Sequence, residues 1–246
     1  MKKIIGLFAA LFALVGFTSC SDSKVDLDAK EEGTMTHAEY TAAELDSEVV
    51  IEAFIQGKQS WWSKDGNGRG TFYLQDGTGG YFAYELGCTE EQYNNELVIG
   101  AKVKITGNKA EWAGEVEVID ATWEVLSGNY IATAKDVTSV YNDEEELVKY
   151  QNMLVAIKGL TVKAKSADAV IFYQWNGAGS QGDDIYFDLT DGTNVYTVCI
   201  ESYLCNKDSD VYKAAEALKD GDKIDVEGFL YWYEGAQPHI TKIIKK

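Results

Sequence analysis

Apolar and polar residues alternate along short stretches of this chain, and turn residues close each stretch. Ala101, Val103 and Ile105 alternate with Lys102, Lys104 and Thr106, and a period of two places each set on one face of a half-buried strand. The alternation resumes at Val116 and Val118, then slips to Ile119, Ala121, Trp123 and Val125. Such a slip predicts a β-bulge, as strongly bent strands need. Val49–Ile55 reads as a β-branched and aromatic strand closed by Gly57. Thr71–Gln75 and Tyr81–Tyr84 flank Asp76-Gly77-Thr78-Gly79-Gly80, a hairpin turn rich in residues that tolerate positive φ. Thr89-Glu90-Glu91-Gln92 is a capping-box pattern opening a short helix with Tyr93 and Leu97 on one face.

The same order then returns. Met153–Ile157 and Gly159 match the first strand and its glycine, and Ile185–Leu189 and Val195–Ile200 flank Asp191-Gly192-Thr193. Asp208 or Ser209 caps a helix with Val211, Ala215 and Leu218 facing inward. Ile224 and Val226 alternate with Lys223, Asp225 and Glu227, and His239–Ile244 is the last strand. Gly100, Gly107 and Gly114 recur as Gly221, Gly228 and Gly235, spaced by seven each time. Self-similarity of this kind decides architecture. The chain is all-β: two copies of strand, hairpin, short helix and two more strands, the order of a five-stranded Greek-key barrel. The helix between the third and fourth strands separates this from an immunoglobulin-like sandwich.

Two resemblances follow. Phe72-Tyr73-Leu74-Gln75-Asp76-Gly77-Thr78-Gly79-Gly80, with Val98–Gly107, resembles the OB-fold domains of bacterial exported proteins, a group named for likeness to nucleic-acid binders. The second copy departs from it, with Asn194 in place of the first paired glycine and a long loop before its hairpin. The resemblance implies two tandem OB-type barrels, each with a short capping helix. Lys2 and Lys3, the apolar run Ile4–Phe17 and then Thr18-Ser19-Cys20 form the other motif. The run is too short to span a membrane as a mature helix, and its end resembles a bacterial lipobox. That implies cleavage before Cys20, lipidation of Cys20, and a chain anchored to a membrane of the bacterial cell envelope, expected to be the outer one. The expected organisation is a signal peptide over 1–19, a lipidated flexible tether over 20–37, one barrel over 38–127 and a second over 130–246, separable at a seam between Leu126 and Thr138.

Charge narrows the partners. The 246 residues hold 22 Lys+Arg and 40 Asp+Glu, a net of −18, which becomes −20 once Lys2 and Lys3 are removed. An acidic surface repels nucleic-acid phosphate unless a local basic patch overrides it. Single-stranded nucleic acid is therefore a disfavoured partner. Cys88, Cys199 and Cys205 lack metal-ligand spacing and read as buried free thiols.

OB barrels bind ligands beside the loop after the first strand and the loop between the last two. In the first copy these are Lys58–Gly70 and Asn108–Gly114, which bring Trp61, Trp62 and Trp112 together with Lys58, Lys64, Arg69 and Lys109 around them. Aromatic rings beside cations stack bases, sugars or apolar side chains. The second copy offers Trp175 in a Gly-rich loop, and Tyr231-Trp232-Tyr233, which project to alternate faces. Trp61, Trp62, Arg69, Trp112, Trp175 and Trp232 are the expected ligand residues. The Gly-rich run lacks the Gly-Lys-Ser/Thr of a P-loop. Asp65–Asp76 mimics a calcium loop but carries Arg69 where an oxygen ligand is needed, so it reads as a turn. No catalytic set, cofactor or metal site is indicated. The expected function is a non-enzymatic binding or adaptor lipoprotein for a saccharide, a protein or another extracellular ligand. A single-stranded nucleic-acid binder and an accessory module of a secreted hydrolase system are the alternatives.

Overall fold

The computed structural model describes residues 26–64, 66–166, 169–175 and 182–246, with the backbone alone for Gln174 and Trp175. The signal segment, Cys20, Asp65 and most of the Gly-rich loop lie outside the described residues. In chain order the first copy has α1 (His37–Ala42), β1 (Glu48–Lys58), β2 (Trp62–Lys64), β3 (Asn67–Gln75), β4 (Gly80–Gly87), α2 (Glu90–Asn95), β5 (Ala101–Trp112) and β6 (Glu115–Asn129). The second has β7 (Lys135–Asp136), α3 (Glu144–Leu147), β8 (Leu154–Lys163), β9 (Ile171–Trp175), β10 (Asp184–Thr190), β11 (Val195–Ile200), α4 (Asp210–Glu216), β12 (Lys223–Phe229) and β13 (His239–Lys245).

The pairing order closes each copy into a five-stranded barrel. In the first, β1 pairs β3, β3 pairs β4, β4 meets β6 in parallel, β6 pairs β5, and β5 returns to β1. In the second, β8, β10, β11, β13 and β12 close in the same sequence, again with one parallel contact, between β11 and β13. α2 and α4 lie between the third and fourth barrel strands, as expected. This is the OB arrangement. β2 and β9 are additions: each pairs with the second barrel strand of its copy, inside the loop expected to be irregular.

Alternation drives each closure. Val49, Ile51, Ala53, Phe72, Leu74, Tyr81, Ala83, Val103 and Ile105 point into the first barrel and Ile185, Phe187, Leu189, Val198, Ile200, Ile224 and Val226 into the second. The expected bulge is present: Ile119 pairs Asn108 and Thr122 pairs Thr106, leaving Asp120 at φ 50° and Ala121 opposite Gly107. A Cβ on Gly107 would come within 2.6 Å of the Ala121 Cβ. Gly228, its counterpart, sits at a register shift and faces the His239 carbonyl. The capping box at Thr89 and Gln92 forms, and Ser209 caps α4. Cys88, Cys199 and Cys205 are free thiols.

Three expectations change. Residues 26–36 are not a free tether. Glu31 N–H and the Thr34 hydroxyl donate to Glu52, and Lys30 Nζ lies 2.7 Å from Asp76 Oδ2. Charged composition suggested a solvated segment, but these charges meet buried partners on the barrel. Thr36 and Glu39 then form a capping box that starts α1. Second, the glycines of the first hairpin turn do not adopt positive φ: Gly77, Gly79 and Gly80 are ordinary in φ. They are small because Asp28, His37 and the Asn152–Met153 backbone, respectively, occupy the space of a Cβ. Third, the barrels share a core. β6 runs into the expected seam as far as Asn129, and Tyr73 and Phe82 pack with Phe229 from the other barrel. The Tyr73 and Phe229 rings stack with centroids 4.3 Å apart. Tyr73 and Phe82 are the outward residues of β3 and β4, so one OB outer face is spent on its neighbour.

Candidate functional site: a cleft between the barrels

Packing the two barrels face against face leaves a cleft. One cavity of about 570 Å³ is bounded by Phe82, Tyr84, Trp112 and Glu117 of the first barrel and by Asp184, Tyr186, Glu201, Tyr231, Tyr233, Gln237 and His239 of the second, with Gln59 between them. A second, of about 450 Å³, shares Gln59 and Tyr84 and adds Ser60, Trp62, Thr71, Glu85 and Tyr203. These volumes are in the range of small-ligand sites.

The repeat explains the geometry. The β5–β6 turn and the turn before β13 are counterparts, and both need left-handed backbone: Ala113 and Gly114 at φ 53° and 92°, Glu234 and Gly235 at 54° and 139°. The turns meet, with Glu234 N–H donating to the Ala113 carbonyl at 2.7 Å. Equivalent residues Trp112 and Tyr233 thereby face one another, ring centroids 5.3 Å apart. Trp112 is 56% exposed and Tyr233 42%, so this pair forms an open aromatic wall. Deeper in, Tyr231 stacks on His239 at 4.2 Å.

Among the described residues the cleft lining carries carboxylates and no lysine or arginine. Burial, then the charge of Asp184, pushes Glu201 up to about 7. Both Glu201 oxygens are occupied, by the N–H groups of Tyr203 and Leu204. Asp184 Oδ1 accepts the Ser202 N–H at 2.8 Å. Burial, then the charge of Glu85, pushes Glu117 up to about 7, and among the described residues its carboxylate has no hydrogen bond or ion pair. His239 is 5% exposed and lines the cavity. Burial pulls its pKa down to about 3, so the ring is neutral. Its Nδ1 lies 3.0 Å from the Tyr73 hydroxyl. If that hydroxyl donates, Nε2 carries the proton and is a neutral donor beside the cavity.

The structure places the expected ligand residues in different surroundings. Trp112 and Trp62 border the two adjoining cavities. Trp61 packs on the first barrel's core and donates its indole N–H to the Cys88 carbonyl at 3.1 Å. Arg69 pairs with Glu85 and borders a separate open groove with Trp61. Trp232 is 6% exposed and belongs to the second barrel's core, the buried member of the alternating Tyr231-Trp232-Tyr233 run. The Trp175 side chain lies outside the described residues. The expected ring of cations is not there. Lys58 Nζ donates to the Tyr93 and Leu97 carbonyls, and Lys109 Nζ to those of Thr41 and Ala43. They hold loops to barrels. Tyr84, Glu117 and Glu201 were missed because they become a site only once two distant segments dock, and from the Tyr231-Trp232-Tyr233 run Trp232 was expected where its two neighbours line the cleft. The signal available was the counterpart relation of Trp112 and Tyr233.

No family model matches the chain, and no curated protein matches it. Solved structures with some likeness include a murine DNA-binding protein bound to double-stranded DNA (TM-score 0.37, 13% identity, 80% of this chain and 99% of that one). A replication protein A heterotrimer bound to single-stranded DNA scores 0.31 at 13% identity, over 79% of this chain and 50% of that one. A variant of the single-stranded DNA binding protein from Thermus aquaticus scores 0.27 at 13% identity, over 81% and 93%. The OB assignment rests on the closed pairing order of each barrel and not on likenesses this distant.

Proposed function

We propose that this chain is a non-enzymatic binding module that takes a saccharide in the cleft between its barrels, held at the cell envelope by a lipid on Cys20. The observation that carries the reading is the open Trp112–Tyr233 wall beside carboxylates, in a cleft with no lysine or arginine among its described lining residues. Sugar rings present apolar faces to aromatic rings and hydroxyls to carboxylate acceptors, and OB barrels hold oligosaccharides as well as oligonucleotides. Binding is favoured over glycoside hydrolysis because hydrolysis needs two available carboxyl groups. Here Glu201 and Asp184 are engaged by backbone N–H groups and Glu85 by Arg69, which leaves Glu117 as the one unengaged carboxylate among the described lining residues.

Titration of the full chain in detergent against neutral oligosaccharides and against oligonucleotides tests the reading. DNA is the comparison ligand because it is present in several of the likened structures. Saccharide binding that weakens about tenfold in Trp112→Ala supports the proposal. Oligonucleotide binding with a steep salt dependence, and no saccharide binding, would replace it. Mass spectrometry of the membrane fraction tests the anchor: a lipid-modified peptide beginning at Cys20 is expected, and an unmodified terminus elsewhere sinks it.

A further inference from the structure

We infer that the cleft contains a subsite for an organic cation, a primary or quaternary ammonium group, seated against the Glu117 carboxylate and the rings of Tyr84 and Tyr231. The inference rests on the cleft being the ligand site and names a group its ligand carries. Three observations support it independently. Among the described residues the half-buried Glu117 carboxylate has no hydrogen bond or ion pair, whereas other acids answer to lysine, as Asp76 does with Lys30 and Glu52 with Lys102. The rings around it are already arranged: Phe82 lies 6.4 Å from Tyr84 and 5.7 Å from Tyr231 by centroid, the latter edge-on. Aromatic faces attract ammonium ions, and aromatic cages recognise quaternary ammonium groups; an opposite charge beside them adds Coulomb attraction. Finally, the remaining charged groups lining the cleft, Glu85, Asp184 and Glu201, are all acids.

The electrostatics agree. The Glu117 charge contributes to holding the Tyr84 phenol up at about 12, and that of Tyr231 higher still, after burial as the first cause in each. Burial first, and the Glu85 charge second, keep Glu117 near 7, and a cation seated beside it favours the charged carboxylate against both. A phosphate would face four acids and, among the described lining residues, no lysine or arginine. No bond forms or breaks; the ligand is held and released.

A matched pair of neutral-backbone oligosaccharides provides the test, one bearing an aminoethyl group at its reducing end and one a hydroxyethyl group. Both are titrated into the full chain and into Glu117→Gln at pH 8, with tetramethylammonium chloride as a third probe. The ammonium ligand should bind at least tenfold more tightly than its hydroxyl twin, and Glu117→Gln should erase the difference. Tetramethylammonium should compete with the first and not the second. The wild-type preference should shrink from pH 8 to pH 6 as Glu117 takes up a proton. Because Glu201 titrates in the same range, the flat profile of Glu117→Gln assigns the effect. Equal affinity of the two ligands overturns the cation subsite and leaves the saccharide reading intact. Tetramethylammonium binding without saccharide binding does the reverse, and no binding of any probe removes both. A melting temperature of Glu117→Gln no lower than that of the wild type establishes that the variant is folded.

Discussion

The two Asp-Gly-Thr turns have one geometry and two environments. In each, the first carboxylate oxygen accepts the N–H groups two and three residues on: Asp76 from Thr78 and Gly79, Asp191 from Thr193 and Asn194. The second oxygen accepts a tyrosine hydroxyl from the following strand, Tyr81 or Tyr196. A second tyrosine from the preceding segment packs on that ring, Tyr40 at 5.0 Å and Tyr141 at 4.6 Å. Beyond this the copies part. The first turn is covered by Lys30, by α1 and by the other barrel, and it has Gly79 and Gly80. The second is open, and has Asn194 and Val195, the latter 46% exposed. The carboxylate encodes the turn in both. The paired glycines of the first copy encode what lies on top of it.

The largest difference is expected at the carboxylates. Asp76 is buried against Lys30 and Tyr81, so Asp76→Ala strands an ammonium and a hydroxyl. Breaking a buried pair in this way costs about 3–5 kcal/mol. Asp191→Ala removes the same turn bonds in solvent and should lower the melting temperature by much less. Paired thermal denaturation of the two variants decides it. Equal losses would mean that the turn itself, and not its cover, is what Asp76 stabilises.

Exchanging the second glycine comes next. Gly80→Val installs the residue of the other copy, but its Cβ would stand 2.4 Å from the Asn152 carbonyl carbon and the Met153 nitrogen. Backbone yields poorly, and overpacking costs about 1–3 kcal/mol. The reverse change, Val195→Gly, meets no such constraint. Gly80→Val should also loosen the shared core, which small-angle scattering would register as an expanded molecule. An unchanged shape and melting temperature would show that the barrels are not docked through this edge.

What the chain discloses about itself follows the same division. Alternation at Ala101–Ile105, the slip at Ile119 and the capping box at Thr89 each act through neighbours in sequence, so barrels, bulge and helix were legible. Gly79, Gly80 and Gly57 are small on account of residues far along the chain: a Cβ on Gly57 would come within 2.5 Å of the Phe229 ring. Local reasoning assigned such glycines to turn geometry. The cleft was hidden for the same reason. Trp112 was recognisable as a loop aromatic, but Tyr231 and Glu117 acquire meaning only from the docking. Lysines near the tryptophans suggested a cationic rim, and the structure turns Lys58 and Lys109 onto backbone carbonyls instead.

Glu115 sharpens the comparison through pH. It follows Gly114 as Ala236 follows Gly235, and it is the member of the pair buried at the interface, accepting the Trp232 N–H at 2.9 Å. Burial pushes it up to about 8. A carboxyl raised above its unfolded value contributes stability that is complete below the unfolded range and lost as pH rises through the folded value. Glu117 and Glu201 act in the same sense up to about 7. The melting temperature should therefore fall between pH 6 and pH 9, and Glu115→Gln should flatten the upper part of that fall. A wild-type profile that is level over this range would contradict the buried state of Glu115.

The smallest stability effect belongs to the meeting of the two equivalent turns. Trp112 is mostly exposed, and surface changes away from special features lie within about 0.5 kcal/mol. Trp112→Ala should leave the melting temperature nearly unchanged and weaken saccharide binding about tenfold. Trp232 lies one residue before Tyr233, the counterpart of Trp112, but points into the second barrel, and truncating a buried tryptophan costs about 3–5 kcal/mol. Trp232→Ala should therefore destabilise strongly, and any loss of binding should follow its loss of fold. Differential scanning calorimetry and ligand titration on both variants separate wall from core. If Trp112→Ala is as destabilising as Trp232→Ala, the pair with Tyr233 is a structural clamp between the barrels and not a surface kept for a ligand.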